Sequence, residues 1–196
     1  MMGAVVGRLA ALGLLTGAVA APTFAADEHR ELGAHEHGRG TLNIAVEGNK
    51  ISMELEVPGV DIVGFEHAAK SRKEKAAVEK AKTQLAAALT LFALPAAAKC
   101  RVTEAKIEVE AGDHDHDAKA ETKADKGAAR SEGHSEFHAQ YALECAAPGN
   151  VTAIEFGYFR AFAGAEKLTV NVITPKGQSK FEVTRTTPSL SLAGMI

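Results

Sequence analysis

Tryptophan is absent from this chain and aromatic residues make up only 5% of it, so Val, Ile, Leu and Ala have to fill most of any core. Basic excess is absent too: 22 Lys and Arg stand against 25 Asp and Glu in 196 residues, a formal charge of −3. That balance, with no Gly-x-x-x-x-Gly-Lys-Ser and no Gly-x-Gly-x-x-Gly to cradle phosphates, argues against nucleic-acid and nucleotide partners. The hydrolase signatures His-Glu-x-x-His and Gly-x-Ser-x-Gly are missing as well. His35-Glu36-His37 has the wrong spacing for the first, and Ser135 follows His134 where Glu would stand. What remains, 46% hydrophobic and 24% charged residues, is the composition of an ordinary soluble protein of one domain.

The start of the chain is read as a secretory signal peptide over residues 1–26. Its one charge is Arg8; an apolar run from Leu9 to Ala21 follows, then Pro22 and the small residues Ala25 and Ala26. The run is shorter than the ~20 apolar residues of a membrane span, which sets cleavage ahead of an uncleaved anchor. Losing Arg8 leaves 21 basic residues against 25 acidic ones, a charge of −4 on the exported chain. Export bears on the only two cysteines, Cys100 and Cys145. In an oxidising compartment such a pair reads as a structural disulfide, the alternative being two soft metal ligands.

Residues 27–196 read as a single domain, chiefly antiparallel β-sheet in an α+β, sandwich-like arrangement with one long helix. Leu42, Ile44 and Val46 alternate with polar residues, as do Ile51, Met53, Leu55 and Val57. The Gly48-Asn49 pair between them predicts a hairpin. Ser71 and Glu74 form a capping box, and the apolar face of the following helix runs through Val78, Ala81, Leu85, Ala88, Leu89 and Phe92 until Pro95 stops it. Strands follow at 100–109 and 135–145. If Cys100 faces Cys145, one extra residue near Thr103-Glu104 (a β-bulge) sets Val102 against Leu143, Ala105 against Tyr141, Ile107 against Ala139 and Val109 against Phe137. All the apolar side chains then share one face. The stretch between, about 110–133, is too polar for a core and reads as a flexible insertion. Further alternating runs around Ile154, Leu168 to Val172 and Phe181 to Val183 bring the total to about seven strands.

The chemistry resides in histidine. All eight imidazoles lie beyond residue 26 and most are clustered: His35 and His37; His114 and His116 within Asp113, Asp115 and Asp117; His134 and His138 flanking Glu136. Neutral imidazole and carboxylate are the donors zinc takes. His35 and His37 point the same way in extended chain, and so do His134, Glu136 and His138, on the face opposite the apolar one. Neither group surrounds a tetrahedral ion alone, so the tight site is expected to join His35, His37, His67, His134, Glu136 and His138 from distant segments. His37 and His138 are expected to share it. The Asp/His run is expected to hold metal weakly, since a mobile segment loses entropy when it closes on an ion. His29 is set aside with the polar stretch that carries it.

These residues resemble a known family. His35-Glu36-His37-Gly38, Leu42 to Asn49, Val63-Gly64-Phe65-Glu66-His67, Leu91 to Pro95 and Ser135 to Tyr141 are similar to the ZrgA-type periplasmic zinc-binding proteins, over essentially the whole exported chain. The resemblance implies a non-enzymatic periplasmic protein of a Gram-negative bacterium that binds zinc and assists high-affinity import. It would work beside a zinc ABC transporter, through the permease or its binding protein. It favours His35, His37, His67 and His138 as ligands, with His134. The family's loop is denser in histidine than the Asp113 to Asp117 run, which weighs against bulk storage. The expected form is a monomer with no stable membrane insertion after signal cleavage. The rival readings are a zinc-dependent exported enzyme and a general copper or nickel buffer, since Cu(II) binds most nitrogen and oxygen sites more tightly than zinc.

Overall fold

A computed structural model describes residues 36–111 and 134–196. The signal peptide, His29, His35 and the Asp113 to Asp117 run lie outside the described residues. The chain opens with a hairpin of β1 (Arg39–Glu47) and β2 (Lys50–Pro58), closed by Gly48-Asn49. Three helices follow: α1 (Gly59–Val63), α2 (Arg72–Leu85) and α3 (Ala88–Leu91). A short β3 (Phe92–Ala93) leads to β4 (Cys100–Ala111), and after it come β5 (Ser135–Cys145), β6 (Ala153–Phe156) and α4 (Tyr158–Ala161). The chain closes with β7 (Lys167–Thr174), β8 (Gly177–Thr184) and β9 (Ser189–Ser191).

The strands form a six-stranded sheet in the order β4-β5-β2-β1-β7-β8 and a three-stranded sheet in the order β3-β6-β9. All pairings are antiparallel except β1 with β7. Alternation decides the faces. Leu42, Ile44, Met53, Leu55, Phe137, Ala139, Leu143, Leu168 and Val170 are buried on one face of the large sheet. That apolar layer packs with the helices and the small sheet around Phe92, Phe156, Tyr158 and Phe159. The opposite face carries polar side chains.

The β4–β5 register is the one the cysteines require: Cys100 pairs Cys145, Val102 pairs Leu143, and after a shift between Val102 and Glu104 the pairs are Ala105–Tyr141, Ile107–Ala139 and Val109–Phe137. The Cys100–Cys145 disulfide is formed. The helix differs from expectation. Its capping box is present at Ser71 and Glu74, but α2 ends at Leu85, well before Pro95. Leu91 and Phe92 are both buried. A residue inside a continuous helix commits its backbone groups to i→i−4 bonds and has none to offer a strand partner. Breaking the helix lets α3 bury Leu91 and lets Phe92 pair with Phe156 in the small sheet.

Candidate metal centre

One end of the large sheet gathers the start of β1, the end of β2, the end of β4 and the start of β5. The turn before β1 presents His37. Gly38 lies at φ 79°, where a side chain is strained, and an added Cβ would stand 3.1 Å from Glu166 Cγ. Its carbonyl accepts from the Glu166 and Lys167 amides, both at 2.8 Å, and its own N–H donates to Asp61 Oδ1 at 2.8 Å. His37 is therefore fixed through the backbone beside it. Helix α1 sits directly on β5: a Cβ at Gly59 would meet Ser135 Oγ at 2.1 Å. That close approach delivers the segment after α1, with Glu66, to the start of β5.

Glu66 is the hub. Its Oε1 lies 2.8 Å from His37 Nε2, and its Oε2 lies 2.6 Å from His134 Nδ1, 68 residues away in sequence. The carboxylate is 19% exposed, whereas the two imidazoles are 66% and 61% exposed, so the pair opens to solvent above a half-sunken acid. Beneath them Asp61 is buried at 5% exposure. Burial raises its carboxyl above the usual carboxylate range, while the Gly38 amide and nearby His37 pull it down.

His138 and Glu136 belong to a different group of contacts. Both are buried on the polar face of β5. Glu136 Oε2 lies 3.1 Å from His138 Nε2, Glu110 Oε2 lies 3.7 Å from it, and Glu56 Oε1 lies 4.0 Å from Nδ1. The Glu136 carboxylate in reach of Nε2 is the main cause that raises this imidazole above its ordinary pKa. Glu110 and Glu56 reinforce it, and burial opposes it. His67 takes other neighbours: its ring stacks on Phe65 at 5.0 Å and its Nδ1 stands 3.1 Å from the Ala68 carbonyl.

Of the expected residues, then, the structure brings His37 to His134 through Glu66, and His138 to Glu136, while His67 stacks on Phe65. Among the described residues no three donors already stand around a common point close enough to hold an ion. Glu66, Asp61, Glu56 and Glu110 were missed as site residues. Glu66 sits inside the Phe65-Glu66-His67 run that carries the resemblance, and Glu56 and Glu110 follow from parity once β5 is known to lie between β2 and β4.

Imidazole and carboxylate, the donor types that zinc takes, are gathered at one end of the large sheet. The chain belongs to the ZrgA family of zinc uptake proteins, whose family model matches residues 34–192. No curated protein gives a significant match. The chain is thus related to zinc uptake, and among the described residues no helix is long and apolar enough to cross a membrane.

Proposed function

We propose that the protein is a periplasmic zinc carrier, which captures the ion and passes it to a zinc ABC transporter, either at the permease or through its binding protein, without catalysis of its own. The observation that carries this reading is Glu66, which gives one oxygen to His37 and the other to His134. Tetrahedral zinc with bonds of about 2.0 Å keeps its donors about 3.3 Å apart. Each imidazole now stands nearer the carboxylate than that, at 2.8 and 2.6 Å, and both rings are exposed side chains that can turn to admit an ion. An ion held there stays accessible, as cargo that must be handed on has to be.

Membership in a zinc uptake family favours zinc over copper or nickel as the cargo. The leader at 1–26 and the disulfide suit an oxidising periplasm. Hydrolysis would call for a free carboxylate beside the metal as general base. Asp61, buried close by, is engaged by the Gly38 amide, which supports a carrier over an enzyme. In this reading His114 and His116, with Asp113, Asp115 and Asp117, form a weaker outer set that collects ions.

A competitive zinc titration of the exported chain, with native mass spectrometry for stoichiometry, tests the proposal. Glu66→Gln should weaken zinc at least tenfold, since even partners one shell further out cost about 10–100-fold. An unchanged affinity would remove Glu66 from the site and the carrier reading with it.

A further inference from the structure

The polar face of the large sheet holds an imidazole that the Glu66 pair does not use. His138 stands opposite Glu56 on β2 and Glu108 on β4, while Glu136 stands opposite Glu110. Its side chain is 8% exposed, and neither ring nitrogen makes a hydrogen bond of good geometry. A buried ring with both nitrogens unmatched is costly unless something completes it. The residues beside it on β2 and β4 are acids, Glu56, Glu108 and Glu110.

We propose that His138 Nε2, Glu136 and Glu110 form a second divalent-cation site, separate from the Glu66 pair, with Glu56 holding the ring from its far side. The geometry is that of a ligand set slightly open. Nε2 has Glu136 at 3.1 Å and Glu110 at 3.7 Å, on either side of the ~3.3 Å spacing of donors around a small tetrahedral ion. Glu110 is 49% exposed and free to close. Glu56 faces Nδ1, the position from which a carboxylate fixes the tautomer and orientation of a metal-bound imidazole.

One nitrogen and two carboxylates suit a borderline-to-hard first-row divalent ion, zinc or manganese, and disfavour soft Cu(I). The Glu66 pair, with two imidazoles and one carboxylate, is the more nitrogen-rich of the two. The sites cannot share one ion: His134 and His138 are four residues apart along nearly extended chain, about 13 Å. This inference stands independently of the carrier reading.

The test is a zinc chloride titration of the exported chain, followed by the ring resonances of 15N-labelled histidines and by native mass spectrometry. His138 should respond as a separate binding event from His37 and His134. His138→Gln should remove one ion from the count and leave the His37 and His134 responses in place. Because His138 is buried, Glu110→Gln is the second variant: on an exposed side chain it should weaken the His138 response at least tenfold with an unchanged circular dichroism spectrum. Glu66→Gln should abolish the His37 and His134 response and spare His138, and that variant alone judges the carrier site. A His138 ring that ignores zinc at concentrations saturating the other histidines would overturn the second site. So would a Glu66→Gln variant in which both responses vanish together.

Discussion

At the scale of single residues, the decisive groups are acids placed where the backbone leaves them few choices. Asp61 is the clearest. Its carboxyl is buried and accepts the Gly38 N–H, and burial raises its pKa above 3.8. An acid with a raised folded-state pKa holds its proton longer in the folded chain than in the unfolded one. Its contribution to stability therefore falls as pH climbs from about 4 through that raised value. Asp61→Asn keeps an oxygen for the Gly38 amide and removes the ionisation. The stability of the parent relative to the variant should decline with rising pH over that window, read from urea midpoints at a series of pH values. A difference that stays flat, or grows with pH, would mean that burial is not what governs this carboxyl. Such acids were hard to read in advance. Asp61 lies within an apolar run and Glu66 beside a histidine that draws the eye, and no periodicity marks a carboxylate that acts through a remote imidazole. The histidines were legible because the residue type is rare and clustered, whereas their partners are set by tertiary approach.

Among the elements, β4 and β5 show what a short pattern can and cannot carry. Strand β4 is an edge of the large sheet whose one sheet neighbour is β5, so its alignment rests on that ladder and on Cys100–Cys145. The bulge was legible because the apolar parity of β4 changes midway while that of β5 does not, and only one extra residue restores a common face. Helix α2 was legible at its start, where the capping box is local chemistry, but not at its end. Alanine favours helix throughout that stretch, and the break after Leu85 frees Phe92 to pair with Phe156 in the small sheet, which is a tertiary demand. The cross-link closes a loop of sequence separation 45 and should contribute about 4 kcal/mol by loop entropy. Replacing both cysteines with alanine should lower the unfolding free energy by roughly that amount, seen as a lower urea midpoint. A loss well under 1 kcal/mol would show that the ladder alone fixes β4.

In the molecule as a whole, both clusters lie at the end of the sheet from which the 112–133 segment departs, since Ala111 pairs with Ser135 across β4 and β5. That pairing makes the segment thermodynamically separable. Its two ends are already neighbours on adjacent antiparallel strands, so a tight turn can replace it without moving either strand. The donors of the two clusters, His37, Glu66 and His134 in one and His138, Glu136 and Glu110 in the other, all belong to the described frame. Deleting Asp113 to Gly133 and joining the strands through Asn-Gly should therefore keep the circular dichroism spectrum, the disulfide and the affinity of the tightest zinc. The total of ions bound at high zinc should fall, because His114, His116 and their three aspartates go with the segment. His114→Ala in the intact chain should shift only that weak, additional binding. The same logic fixes a double replacement. His37 and His138 contact different carboxylates, so the losses from His37→Ala and His138→Ala should add within about 0.5 kcal/mol, as independent sites do. The sharing expected from sequence would make the double loss smaller than the sum. A deletion variant that unfolds or loses tight zinc would instead place the metal in the segment itself, and the sheet end would then be a support for the site rather than the site.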